Sequence, residues 1–187
     1  MNQSTLKHLA LQNPAKSTGF TMIEILVALL VLAVGLLGIA GLQTSGMQAT
    51  LKAHQRAVAL NQSQDLADRI RANINGLRSM AYLQTIPTGA PTPDCMTSAN
   101  TCTNDQLAAT DLYNWETNNA ALLPSGQGEI SCTDIDATTT TLLESGSSCV
   151  ITVRWDANRD GATGTGCDPT NTGASGDLAC MRLRVIP

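Results

Sequence analysis

From Phe20 to Leu42 every position is apolar except Thr21 and Glu24. At about 1.5 Å of rise per residue, a helix of that length crosses the ~30 Å hydrocarbon core of a bilayer. Past Gly46 the uniform run gives way to an amphipathic one. Leu51, Val58, Leu66, Ile70, Ile74 and Leu77 form a stripe of a 3.6-residue period, while Gln48, Lys52, Arg56, Gln64, Arg71 and Arg78 mostly fall off it. The pattern predicts one continuous helix to about Ala81, its second half covered by a globular head. Asp65 and Arg69, four apart, are placed to pair.

Ile86–Pro93 is rich in breakers and reads as a loop. Asn104 or Asp105 can then cap a helix bearing Leu107, Ala108, Leu112, Trp115 and Leu122, which Leu123-Pro124-Ser125-Gly126 terminates. Beyond it the period changes to two. Glu129–Ile135 is a weak strand. Cys149, Ile151, Val153 and Trp155 alternate with Val150, Thr152 and Arg154 in a second, and Met181, Leu183 and Val185 with Cys180, Arg182 and Arg184 in a third. A long hairpin loop, Ala157–Asp177, joins the last two. The sum is α+β: a long helix packed on a small antiparallel sheet.

Glu24 sharpens the reading of the apolar run. A carboxylate at the centre of a membrane helix costs about 2.5–3.5 kcal/mol or more, so an intramembrane Glu calls for a partner. Gly35, Gly38 and Gly41 each cost about 0.8–1 kcal/mol in a helix interior. They offer either a small-residue face for close packing or a point where the helix loosens, and spacing alone does not choose. Met1–Thr18 is polar and interrupted by Pro14. Its Lys7 and Lys16 favour a cytoplasmic leader, with the bulk of the chain across the membrane.

The join Gly19–Phe20, continued by Thr21, Met22, Ile23 and Glu24, reads GFTMIE. It resembles the prepilin-peptidase site of the type IV pilins and type II secretion pseudopilins. A secretory signal peptide would place its cleavage site after the apolar run, not before it. The resemblance implies cleavage between Gly19 and Phe20 by prepilin peptidase and N-methylation of Phe20. Glu24 becomes an assembly carboxylate at the fifth mature position, in a helix that bundles in a filament core. The chain then divides into a leader (1–19), a membrane and filament-core helix (20–45) and a periplasmic head (46–187), with a type IV pilin-like fold.

Loss of the leader, with two lysines and no acid, leaves nine basic against fifteen acidic side chains, a formal −6. With only one Phe, two Tyr and two Trp as well, the chain is not expected to bind nucleic acid. Its six cysteines all lie in the second half and suit disulfides in an oxidising compartment. Of the fifteen pairings six cysteines allow, the sequential set Cys95–Cys102, Cys132–Cys149 and Cys167–Cys180 is favoured, because each closes a local loop. Nothing resembles a zinc site, a phosphate loop or an HExxH helix. His54, the one histidine after the leader, has no nucleophile tied to it, so no catalysis is expected.

Asp156-Ala157-Asn158-Arg159-Asp160-Gly161 is DxNxDG, the first half of an EF-hand-like calcium loop. Its second half fails: Gly164 and Cys167 stand at the ninth and twelfth positions, although Asp168 or Asp177 can substitute if the loop folds back. A metal-free turn after a strand favours the same residues. Asp156, Asn158 and Asp160 are therefore a calcium candidate set against a simple turn.

Two further segments narrow the resemblance. Asp68-Arg69-Ile70-Arg71-Ala72-Asn73 (DRIRAN), and Asp111-Leu112-Tyr113-Asn114-Trp115 followed by Leu123-Pro124-Ser125-Gly126 (DLxxW…LPxG), resemble the PilV family of minor pilins, the type IV pilus modification proteins. The likeness implies a low-abundance subunit priming pilus assembly with other minor pilins and the major pilin, on an inner-membrane assembly platform, with a possible tip adhesin. It implies an inner-membrane subunit with a periplasmic head that moves to the surface pilus. Two alternatives are a type II secretion minor pseudopilin, and a calcium- or ligand-binding surface protein merely anchored by the helix.

Overall fold

The computed structural model describes residues 19–97, 101–135, 146–162, 164, 166–168 and 178–186. Residues 1–18, with Lys7, His8, Pro14 and Lys16 of the expected leader, and Asp177 of the long loop lie outside the described residues, as does the side chain of Asp168. Helix α1 spans Met22–Ala72. The chain divides into two compact units between Met47 and Gln48.

In the first unit every described residue is exposed. Thr21 opens the helix: its hydroxyl accepts the Glu24 N–H at 3.4 Å and its carbonyl accepts the same N–H at 3.1 Å. Glu24 lies in the first turn, where a negative charge complements the helix dipole. Thr44 donates its hydroxyl to the Ala40 carbonyl at 2.9 Å, satisfying itself within the helix.

The second unit is built around the rest of α1. Its buried face is Gln55, Ala59, Ser63, Leu66, Ala67 and Ile70. The expected apolar stripe is only one edge of that face: Leu66, Ile70 and Leu77 are buried, Val58 and Ile74 half-buried, and Leu51 is exposed. Small and polar side chains fill the remainder, and Ser63 is satisfied by donating to the Ala59 carbonyl at 2.8 Å. The helix also ends sooner than Ala81. Asn73 stops α1 and caps a short helix α2, Ile74–Arg78, by accepting the Gly76 N–H at 3.3 Å. Met80 then takes a left-handed conformation (φ 61°) and a single 3₁₀ turn, Ala81–Leu83, follows.

Helix α3 runs Asn104–Leu122 and is capped by Thr103 rather than by Asn104 or Asp105. Thr103 is extended, and it forms a reciprocal box with Gln106. Its hydroxyl accepts the Gln106 N–H at 3.2 Å, and the Gln106 side chain accepts the Thr103 N–H at 2.9 Å. Ala108, Leu112 and Trp115 face inward as the period requires, but Leu122 is 56% exposed. Leu123, in extended conformation at the helix end, turns into the core in its place.

The strands are β1, Gln127–Thr133, β2, Ser148–Trp155, β3, Cys167–Asp168, and β4, Leu178–Val185, in the order β1-β2-β4-β3. β1 and β4 each pair antiparallel with β2. β1 begins two residues before its expected start because the turn at Ser125–Gly126 delivers the chain to the sheet at once. A Cβ on Gly126 would lie 2.0 Å from the Asn119 carbonyl oxygen, and one on Gly128 2.2 Å from the Trp115 ring, so this corner packs only with glycine at both positions. β3 is an addition to the expected hairpin loop: two residues that pair parallel with Leu178 and Ala179. They sit beside the Cys167–Cys180 disulfide.

One hydrophobic cluster joins Leu66 and Ile70 of α1, Leu112 and Trp115 of α3, and Cys149, Ile151, Val153 and Trp155 of β2. Trp115 donates its indole N–H to the Gln62 carbonyl at 2.9 Å, tying α3 to α1. A buried polar network completes the join. Asp111, itself buried, accepts from Arg69 Nη1 at 3.1 Å and from the Tyr82 hydroxyl at 2.6 Å. Arg69 Nε also donates to Asp65 at 2.9 Å, and Asn73 Nδ2 donates to the Asn104 carbonyl at 2.7 Å. Burial, and then the Asp111 carboxylate, raise the Tyr82 phenol above its ordinary value, so it stays a donor.

We expect Asp111→Asn to lower stability by about 1–3 kcal/mol, because Arg69 loses its buried partner and keeps only the partly exposed Asp65. The exposed Asp68–Arg71 pair is the control: Asp68→Asn should change stability by less than about 0.5 kcal/mol. Thermal unfolding of the full chain in detergent micelles reads both. Glu116 gives a pH prediction. Burial raises its carboxyl above the usual range, partly offset by the neighbouring Asn119 side chain and Gly128 backbone, and its Oε2 has no hydrogen-bond partner. A raised folded-state value means that ionising Glu116 favours the unfolded chain. That penalty is absent below the unfolded value of about 4.3 and grows as pH rises through the folded-state value. Glu116→Gln should therefore raise Tm at neutral pH and leave it unchanged below about pH 4.

Candidate functional site

Three groups of residues carry candidate function. The first is the start of the chain after the leader. Gly19 and Phe20 are exposed and precede the helix, so the bond between them lies in accessible, non-helical backbone. Phe20 is 77% exposed and Glu24 follows it by four residues, just inside the helix. From there to Leu42 the large apolar side chains are all exposed, among them Ile25, Leu29, Leu32, Leu36 and Ile39. This is the helix that is long and apolar enough to cross a membrane, with none of its apolar window buried in the protein. Gly35, Gly38 and Gly41 have open space where a Cβ would stand. In water such a surface is costly at about 25 cal/mol per Å² of apolar area, and it is stable only in lipid or against other apolar helices.

The second group is the cysteines. Cys95 is bonded to Cys102, Cys132 to Cys149 and Cys167 to Cys180. Cys132 and Cys149 are direct cross-strand partners in the β1–β2 register, with Cα atoms 4.0 Å apart. Cys102 lies just before the Thr103 cap of α3, so its bond to Cys95 ties the preceding loop to the start of that helix. None of the six is a free thiol.

The third is the DxNxDG turn after β2. Asp156 is 4% exposed, and its two oxygens accept the backbone N–H groups of Asp160 and Gly161 at 3.3 and 2.9 Å. Asp160 accepts the Asn158 amide at 2.9 Å and the Ala162 N–H at 2.9 Å. The structure thus brings Asp156, Asn158 and Asp160 into one turn, in which the carboxylates of Asp156 and Asp160 accept from the loop itself. Among the described residues no cluster of three or more His, Cys, Asp or Glu stands ready to hold a metal ion. His54 is an exposed residue of α1.

The geometry also explains the two segments singled out in the sequence. Arg69 of DRIRAN meets Asp111 of DLxxW, and Trp115 of the latter reaches the α1 backbone. Their residues are joined inside the fold rather than displayed on it. What sequence reading missed is the role of Tyr82 and Asn73 in that join, since neither spacing nor periodicity links a tyrosine beyond a helix end to a carboxylate in the next helix.

No curated protein and no solved structure matches the chain. Two families do. Residues 14–40 match the prokaryotic N-terminal methylation motif, which covers Gly19, Phe20 and Glu24 and implies processing by prepilin peptidase and assembly with other pilins. Residues 41–113 match the Tt1218-like family, type IV pilin Tt1218, and include both Arg69 and Asp111. These matches run on from one another, and with the long apolar helix and the small antiparallel sheet they support a type IV pilin.

Proposed function

We propose that the chain is a minor pilin of the PilV type, a subunit that primes type IV pilus assembly near the filament tip. The observation that carries this reading is the pairing of the DRIRAN segment with the DLxxW helix through Arg69 and Asp111. These are the segments that resemble the PilV family, and the fold brings them into contact.

Before assembly, the apolar half of α1 holds the subunit in the inner membrane with its head in the periplasm, where the three disulfides form. Prepilin peptidase cleaves after Gly19, and the new amine on Phe20 is methylated. On extraction the exposed apolar face of α1 exchanges lipid for the helices of neighbouring subunits. Glu24 then pairs with the N-terminal amine of a neighbour, which offsets the desolvation of both charges. The subunit acts through its surfaces alone, without catalysis or a bound cofactor. Its partners are other minor pilins, the major pilin, the assembly platform and an adhesin at the tip.

Glu24→Ala should insert into the membrane and lose its leader normally, yet enter filaments poorly. An amine left unpaired in the filament core costs about 3–5 kcal/mol, on the order of a hundredfold or more in incorporation. Immunoblots of sheared pili and of membranes, from a strain with the variant as sole copy, measure both. Deletion of the gene should abolish pili and twitching while hydrolase secretion continues. Normal pili with failed secretion would instead place the chain among the type II secretion minor pseudopilins.

A further inference from the structure

The sheet is unfinished along the outer side of β4. On one side β4 pairs with β2 from Ala179 to Val185. On the other, β3 reaches only Leu178 and Ala179, so among the described residues the backbone from Met181 to Val185 is paired along one edge alone. Its side chains lack neighbours on both faces. Met181 and Leu183 stand opposite the buried Val153 and Ile151 and pack against the core, yet they are only half-buried, since β3 stops short of them. Arg182 and Arg184 alternate with them on the opposite face and are exposed. Glu129 is the one acid in β1, β2 and β4, and it is paired with Arg154. Arg182 and Arg184 have no ionic partner among the described residues.

We propose that this edge takes up an extended segment of another protein chain, one in which acidic and apolar side chains alternate. A strand added beside β4 bonds to the alternate N–H and C=O groups that face outward. Residues directly opposite one another in a sheet share a face. Side chains beside Met181, Leu183 and Val185 therefore fall over the core, and those beside Arg182 and Arg184 fall on the outer face. The first set must be apolar to continue the core. The second is best acidic, because two guanidiniums about 6.7 Å apart along the strand match carboxylates set at the same two-residue repeat. Three independent features thus specify one occupant: the open ladder, the half-covered apolar pair and the unpaired cations. Charge on an edge strand also keeps unwanted strands away. With cations alone it is selective: it repels a second copy of β4 and any basic strand, and accepts an acidic one. A nucleic acid fits poorly, since the face has two free cations and β1, β2 and β4 carry no exposed aromatic side chain.

The test uses the full chain in detergent micelles and a capped, fluorescent peptide, Val-Glu-Val-Glu-Val. Anisotropy reads its binding, and hydrogen exchange of the backbone amides reads its place. The peptide should bind, slow exchange within Met181–Val185, and lose about twofold to fivefold in affinity for each of Arg182→Gln and Arg184→Gln. Arg56→Gln, at an exposed position of α1, removes the same charge and should leave binding intact. The basic peptide Val-Lys-Val-Lys-Val should not bind. Equal binding of the scrambled Glu-Glu-Val-Val-Val overturns strand addition in favour of charge attraction alone. Unchanged exchange within Met181–Val185 overturns the edge as the site. Unchanged affinity in the double variant overturns recognition by the arginines. Absence of peptide binding overturns the docking site, and self-association of the double variant then assigns the arginines to guarding the edge.

Discussion

The head depends on one buried carboxylate. Asp111 accepts from Arg69 of α1 and from Tyr82 beyond the end of α2, so three segments far apart in the chain meet at its two oxygens. A buried charge is tolerated only when it is paired and hydrogen-bonded, which makes this junction demanding of identity and geometry together. Trp115, one helical turn further along α3, closes the same seam by donating to the Gln62 carbonyl while its ring lies over Gly128. Segments that meet this way constrain one another: a change at Arg69, Asp111 or Trp115 is felt in both helices.

The apolar half of α1 obeys a different constraint. Its backbone is satisfied within the helix, so it needs no partner for its hydrogen bonds, but its side chains have no core of their own. Lipid and a bundle of like helices both supply an apolar surrounding, and exchange of one for the other leaves most of the hydrophobic energy unchanged. What differs is the treatment of charge. Glu24 is expensive in either setting without a counter-charge, and the pairing proposed above with a neighbour's amine supplies one.

The loops are held by local bonds. In the DxNxDG turn the Asp156 carboxylate accepts the N–H groups of Asp160 and Gly161. Disulfides do comparable work elsewhere. Cys95–Cys102 fixes the approach to α3, and Cys132–Cys149 joins β1 to β2 across their register. In a head with a small core, such bonds raise stability chiefly by restricting the unfolded chain.

Much of this was legible in the amino-acid sequence, because it depends on neighbours in the chain. The uniform apolar run, the amphipathic continuation, the alternation of Cys149–Trp155 and the GFTMIE junction are local patterns. Period and composition determine a long helix and an α+β head, and the resemblance of the GFTMIE junction implies a pilin-like start. The sequence did not disclose where α1 stops or which side chains line its buried face. Asn73 ends the helix because its amide reaches Asn104 and Tyr82, and small and polar residues such as Gln55, Ala59 and Ser63 are buried because the head covers them. Thr103 rather than Asn104 caps α3, and β3 pairs with β4 across the long loop, through choices between locally similar options. Only tertiary structure decides these, since hydrogen-bond partners and burial come from residues distant in sequence, about which local periodicity carries no information.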